Sequence, residues 1–221
     1  MSRFLSFRLW FAISTFTLLA ACAQPVKHVD YTAFKNSRPH SILVLPPEND
    51  TTDVQATNSM LSQMTMPLAE AGYYVVPVAV MDETFRQNGL TVPADIQATS
   101  PAKLREIFGA DAVLYSKITQ FGTAYHVLDS ATVVTASAKL VDLRTGDVLW
   151  QGSASANSNE GNNYSGGGLI GMLVTAAVKQ IANSVTDKSH DIAAVTSYRL
   201  LHAGPPNGLL YGPRSPKSGT D

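Results

Sequence analysis

The chain contains one cysteine, Cys22, and this residue follows an apolar leader. A single cysteine excludes an intramolecular disulfide and a cysteine-based structural zinc site, so the fold must be held by its core alone. The only charges before Cys22 are Arg3 and Arg8, and Leu9 to Ala21 is apolar apart from three hydroxyl residues. This pattern is typical of a signal peptide, predicted over residues 1–21, and is too short to span a membrane comfortably.

The leader ends in Leu19-Ala20-Ala21-Cys22, which resembles a bacterial lipobox. The resemblance predicts Cys22 as the lipidation site, carrying diacylglycerol and an N-acyl chain, and Leu19, Ala20 and Ala21 as the residues recognised by the signal peptidase. More than one fatty chain makes anchoring stable, since each buried CH₂ contributes about 0.8 kcal/mol. The alternative is an ordinary secretory signal followed by an accidental cysteine. Ala23, rather than an aspartate, follows Cys22, which under the sorting rule of enteric-type bacteria implies the outer membrane.

The charge balance limits the partners of the chain. The formal net charge is −1, and removal of a leader with two arginines and no acid makes the mature chain more negative. A nucleic-acid binder normally shows a basic face, so we expect no nucleic-acid partner. The same balance gives the soluble part no electrostatic reason to bind anionic lipid, and the predicted membrane contact is through Cys22 alone.

The pattern of apolar and polar residues divides the rest of the chain into four parts. These are a tether over residues 22–38, an α+β domain over 39–157, a Gly-rich loop with C-terminal helices over 158–202, and a Pro/Gly-rich tail over 203–221. The predicted elements are strand Ser41 to Leu45, helix Val54 to Ala71 with a kink or new start at Pro67, strand Tyr73 to Val80, helix Met81 to Gln87, a connection over 91–99, helix Pro101 to Phe108, strands Ala112 to Gln120, Ala131 to Leu143 and Val148 to Ala156, and helices Leu169 to Val185 and Asp187 to His202.

This order of elements predicts the fold class. A β-α-β start followed by three consecutive strands favours an α+β fold with a mixed sheet, packed by helices. The turn Arg144-Thr145-Gly146-Asp147 between two apolar runs predicts a hairpin.

The sequence offers no convincing catalytic or metal centre, and we expect neither an enzyme nor a cofactor. The five histidines are scattered, without the i, i+4 spacing of a helical zinc site. The glycines from Gly166 to Gly168 lack the Lys-Ser/Thr ending of a phosphate loop. Glu48, Asp50 and Asp53 have carboxylates that suit Ca²⁺, but a solvated loop is the favoured interpretation.

A stretch without charge, Tyr164 to Val178, has three interpretations. It packs within the domain, it contacts another protein, or it inserts into a membrane. The first two are favoured because the stretch is too short to span a bilayer.

Several longer motifs are similar to a bacterial outer-membrane lipoprotein family first noticed as a neisserial surface antigen. The motifs are Pro39-His40-Ser41-Ile42-Leu43-Val44-Leu45-Pro46-Pro47, Pro67-Leu68-Ala69-Glu70-Ala71-Gly72-Tyr73-Tyr74-Val75, Asp82-Glu83-Thr84-Phe85-Arg86-Gln87-Asn88-Gly89, Phe108-Gly109-Ala110-Asp111-Ala112, Lys139-Leu140-Val141-Asp142-Leu143 and Asn207-Gly208-Leu209-Leu210-Tyr211-Gly212-Pro213-Arg214. The resemblance implies a fold similar to the N-terminal domain of TolB, no enzymatic site, and a partner such as a CsgG-like lipoprotein.

Three functions remain open from the sequence. The leading one is an outer-membrane-anchored, non-enzymatic scaffold or subunit of a cell-envelope complex of transport or secretion type, with its soluble domain in the periplasm; a homodimer is a further arrangement. The second is a periplasmic ligand-binding or hydrolytic lipoprotein, which requires a deep pocket with convergent polar groups. The third is a regulator of a peptidoglycan synthase.

Overall fold

The computed structural model describes residues 29–125, 130–160 and 188–220. In chain order the elements are α1 (Thr32–Ser37), β1 (Ser41–Val44), β2 (Glu48–Asn49), α2 (Ala56–Glu70), β3 (Tyr74–Val75), α3 (Val78–Gln87), α4 (Pro93–Gln97), α5 (Pro101–Phe108), β4 (Ala112–Tyr125), β5 (Ser130–Asp142), β6 (Val148–Asn157) and α6 (Lys188–Leu201). Six predicted features lie outside the described residues: the signal peptide, Cys22, the Gly-rich loop from residue 161 onward, helix Leu169 to Val185, the uncharged stretch, and the histidines His28 and His126.

The six strands form one mixed sheet in the order β3-β1-β4-β5-β6, with β2 paired to β4 beside this path. β1 is parallel to both β3 and β4. The apolar run of β1 is buried because a strand in the parallel part of a sheet is covered on both faces. The fold class, a mixed α+β sheet packed by helices, is confirmed.

The second half of the sheet is an antiparallel meander of β4, β5 and β6. The predicted hairpin turn is present, and Gly146 adopts a φ of 80° there, which suits glycine. Residues along these strands alternate between a buried inner side, with Val134 and Leu140, and a more polar outer side, with Ser137 and Lys139.

Helices α2 and α6 pack against each other, and α6 also contacts β5 and β6. The apolar positions of α2 at helical spacing, including Met60, Met64 and Leu68, are fully buried in this layer. The helix continues through Pro67, so the predicted new start at this residue is wrong.

The structure differs from the sequence prediction in two segments, around α3 and α4. The strand predicted over Tyr73 to Val80 stops at Val75, and Val78 already belongs to α3, with Pro77 at its N-cap. The connection predicted over 91–99 contains α4, which begins at Pro93. Proline fixes a φ that suits a helix start, which explains both cases.

The predicted tether over residues 22–38 is wrong for its described part. Residues Thr32–Ser37 form α1, and the side chain of Phe34 is 2% exposed in the core. The segment looks like a linker in the sequence because Phe34 is the one fully buried apolar side chain of this helix, so no periodic apolar stripe marks it.

The predicted Pro/Gly-rich tail is packed onto the domain over its described residues. Leu209 is fully buried, and the amide of Gly212 donates to the carbonyl of Ala71 at 2.8 Å. Long-range hydrogen bonds of this kind leave no periodicity in the sequence.

Candidate functional site

Folded structure begins a few residues along the chain after the predicted lipidation site. Val29 packs against the core and the hydroxyl of Tyr31 donates to the carbonyl of Gly208 at 2.6 Å. From Cys22 to Val29 the chain advances seven residues, at most about 25 Å when fully extended. A fatty chain on Cys22 would therefore hold the domain within that distance of a bilayer.

A buried carboxylate locks α1 to the β5–β6 turn. Asp142 is 1% exposed and accepts a hydrogen bond from the hydroxyl of Ser37 at 2.5 Å and from a guanidinium nitrogen of Arg144 at 3.1 Å. Its other oxygen accepts from the backbone amides of Arg144 and Thr145. Burial alone would raise the pKa of Asp142, but these hydrogen bonds outweigh it and lower the pKa to about 2.

A second carboxylate fixes the start of β1 at the same end of the sheet. Asp111 accepts from the backbone amides of His40 and Ser41 and from the Ser41 hydroxyl. Burial opposes its ionisation, yet these hydrogen bonds leave the pKa of Asp111 below its ordinary value. Both carboxylates thus serve the fold at the end where β1, β3 and β4 begin.

A cleft of about 500 Å³ opens between α1 and the C-terminal segment at this end. We call it the basic cleft, and its wall includes Phe34, Lys35, Arg38, His40, Tyr73 and Tyr211. None of the described residues that line it is acidic. Lys217 lies over the ring of Tyr211 at 5.5 Å, which extends the row of cations at its rim.

The outer face of β4–β6 carries a shallow trough of about 540 Å³. We call it the sheet trough; Tyr115, Lys117, Ser137, Lys139, Gln151 and Ser153 line it. The ammonium of Lys139 lies 5.1 Å from the centre of the Tyr115 ring, and burial raises the pKa of Tyr115. The amide of Gln97 on α4 borders the trough and donates to the carbonyl of Ser116 at 2.8 Å.

Two carboxylates of the acidic loop considered for Ca²⁺, those of Glu48 and Asp50, form ion pairs with Lys117. Lys117 contacts the carboxylate of Asp50 at 2.9 Å and that of Glu48 at 3.7 Å. Within residues 29–125, 130–160 and 188–220, no group of three His, Cys, Asp or Glu side chains is placed to hold a metal ion.

The sequence did not suggest one serine–histidine contact that the structure contains. The hydroxyl of Ser59 in α2 lies 2.7 Å from Nδ1 of His190 in α6, and Nε2 faces the amide of Gln63 at 2.7 Å. A nucleophile needs a base that a third group orients beside a substrate cavity. Here the amide of Gln63 faces the other ring nitrogen, and neither Ser59 nor His190 lines the basic cleft or the sheet trough. The contact therefore joins two helices.

None of the helices in the described ranges is long and apolar enough to cross a membrane.

The chain matches one protein family over residues 29–214, described as "Putative lipoprotein GNA1162-like". The chain belongs to this family. A curated relative, "Putative lipoprotein NMB1124/NMB1162" of Neisseria meningitidis serogroup B, is 53% identical over 197 residues, which are 89% of this chain and 91% of the relative. This confirms the resemblance found in the sequence.

One solved structure agrees with the family assignment, and others are weaker likenesses. The crystal structure of lipoprotein GNA1162 from Neisseria meningitidis is 58% identical, with a TM-score of 0.53, and covers 66% of this chain and 100% of its own. The C-terminal domain of LpoB from Salmonella enterica is 23% identical, with a TM-score of 0.39 over 53% of this chain and 82% of its own, too weak a likeness for an argument about function. TolB is also among these weak likenesses.

Proposed function

We propose that the chain is an outer-membrane-anchored lipoprotein that acts as a non-enzymatic scaffold or subunit of a cell-envelope complex, with its domain in the periplasm. In this proposal acylated Cys22 provides the anchor. The lipobox Leu19-Ala20-Ala21-Cys22 and the membership of a lipoprotein family support it.

One structural observation carries the proposal. Because α1 packs on the core so soon after Cys22, the anchor and the domain act as one unit with little reach. A connection of about 25 Å suits a subunit that works beside its own membrane. A regulator of a peptidoglycan synthase in another membrane would need a longer connection, which disfavours that alternative.

The ligand-binding or hydrolytic alternative receives less support from the described residues. It requires polar groups with shifted pKa values converging on a deep pocket. Among the described residues the largest such shift is at Asp142, whose carboxylate binds Ser37 and Arg144 and so stabilises the fold.

The partner surface in this proposal is the outer face of the sheet around the sheet trough. Its polar side chains and its one aromatic ring, Tyr115, can form hydrogen bonds and stacking contacts with another protein. A CsgG-like lipoprotein is the expected kind of partner, and a second copy of the chain is the other arrangement.

Photo-crosslinking in living cells tests this role. A photoreactive residue at Ser153 in the sheet trough should give one discrete crosslinked product at native abundance. The same residue at Asp82, an exposed position on α3, is the matched control and should give none. Recovery of monomer alone from Ser153, or an intrinsic turnover by the purified protein, would count against a non-enzymatic subunit.

A further inference from the structure

We propose that the basic cleft docks onto the anionic headgroups of the bilayer that holds Cys22. This inference rests on the proposed function for the anchor, and adds to it a fixed orientation: the end of the sheet where β1, β3 and β4 begin faces the membrane, and the rest of the domain faces away.

The charges of the basic cleft provide the first argument. Lys35 and Arg38 line it without a carboxylate among the described lining residues. Lys217 extends this row at the rim, over the ring of Tyr211. Among the described residues, no salt bridge within 4.0 Å neutralises Lys35, Arg38 or Lys217.

Two ionised carboxylates lie near the cleft without lining it. Asp142 pairs with Arg144 and accepts a hydrogen bond from Ser37, and Asp111 accepts from the backbone amides of His40 and Ser41. Lys35, Arg38, Lys217 and Arg144 outnumber these two acids, so the net charge of −1 conceals a local excess of cations. The expectation from the whole-chain charge, that the soluble part has no electrostatic reason to bind anionic lipid, does not apply to this surface.

The position of the anchor provides the second argument. α1 supplies Lys35 to the cleft wall, and the same segment leads back to Cys22 through at most about 25 Å of chain before Val29. Attraction between cations and anionic lipid falls off within a Debye length, about 8 Å at physiological ionic strength. A short connection raises the effective concentration of the cleft at the bilayer, so a few cations suffice.

An aromatic ring provides the third argument. Tyr211 lines the cleft beside the cations and is partly exposed, whereas Tyr73 behind it is 4% exposed and belongs to the core. Tyrosine has an apolar ring and a polar tip, which suits the region of the headgroups. Cations combined with this tyrosine therefore match a membrane surface better than a solvated protein face.

A vesicle-binding experiment tests the proposal without acylation. The mature chain with Cys22→Ser is mixed with phosphatidylcholine vesicles that contain either no charged lipid or one-third phosphatidylglycerol, and sedimented. At low ionic strength, where the Debye length is about 30 Å, we expect binding to the charged vesicles only. The double variant Lys35→Glu/Lys217→Glu should bind at least about tenfold more weakly than the parent, because each cation near the surface contributes several-fold to binding.

Matched variants separate the cleft from the net charge. Lys103→Glu/Arg105→Glu changes two exposed cations on α5 by the same amount and should leave binding unchanged. Lys35→Arg/Lys217→Arg keeps the charge and should also bind as the parent does. No binding by the parent chain, or equal losses in the two charge-reversed variants, would overturn the proposal. Because this chain carries no fatty acid, either result leaves the proposal of an acylated Cys22 intact.

A second measurement uses the anchored protein. The single cysteine allows the mature chain to be coupled through Cys22 to a maleimide lipid in the same vesicles. Amine labelling followed by mass spectrometry should show Lys35 and Lys217 protected several-fold on charged vesicles, with Lys103 unchanged and the protection lost at high salt. Equal labelling on both vesicle types would contradict the proposal, and protection that requires added envelope proteins would indicate an acidic protein partner instead.

Discussion

The replacement Asp142→Asn should destabilise the domain by about 2 kcal/mol at neutral pH. The pKa of this carboxyl is about 2 in the folded chain and has an ordinary value of 3.8. Each unit of such a difference corresponds to about 1.36 kcal/mol, which gives the expected size of the effect. Because the folded pKa is depressed, this stability is complete above the ordinary pKa and is lost as the pH falls through the folded pKa.

Urea unfolding of the unacylated mature chain measures this effect. At pH 7 we expect the Asn variant to be about 2 kcal/mol less stable, or about 4–8 °C lower in Tm. The difference should shrink as the pH falls from 4 towards 2, since the parent then protonates the same carboxyl. Asp82→Asn, at an exposed position, is the control and should stay within about 0.5 kcal/mol of the parent.

A double variant tests how much of the stability that Asp142 contributes depends on its hydrogen bond with Ser37. Ser37→Ala and Asp142→Asn remove the same hydrogen bond, so the double variant should lose less than the two single losses combined. Equal stability of parent and Asp142→Asn at pH 7, or a gap that persists undiminished below pH 2, would refute the assignment of this stability to the ionised carboxylate.

Three further substitutions, with Gly89→Ala as a control for the first, test the packing. Gly72→Ala should cost more than about 1 kcal/mol, because φ is +98° and an added Cβ would lie 2.4 Å from the amide nitrogen of Ser215; Gly89→Ala, with φ +76° and open space, should cost less in the same urea assay. Phe34→Ala should cost about 3–5 kcal/mol and make the start of the chain sensitive to protease, whereas a true tether would tolerate it. Trp150→Phe should cost about 1 kcal/mol by removing the indole hydrogen bond to the C-terminal segment, measured by thermal unfolding.

Elements with a local cause were predictable from the sequence. The helix from Pro101 was predicted at both ends, since the hydroxyl of Ser100 caps its first turn and Gly109 ends it with φ at 64°. The continuous apolar run of β1 identified a buried strand. The hairpin followed from the turn residues before Val148.

Elements with a long-range cause were not predictable. α1 is attached mainly by Phe34, and the C-terminal segment by backbone bonds such as that of Gly212 to Ala71, so neither has a periodic pattern. The basic cleft joins residues 34–40 to residues 210–219, and only the fold brings them together. The predicted lipidation site rests on a local motif, the lipobox, whose residues lie outside the described part of the chain, so it stays a prediction.

Fractionation of cells that express the parent chain or Cys22→Ser tests the central claim most directly. The parent should incorporate labelled palmitate and remain in the washed outer-membrane fraction, and the serine variant should lose the label and be released as a soluble periplasmic protein. A serine variant that still resists washing from the outer membrane would contradict an anchor on this sulfur atom.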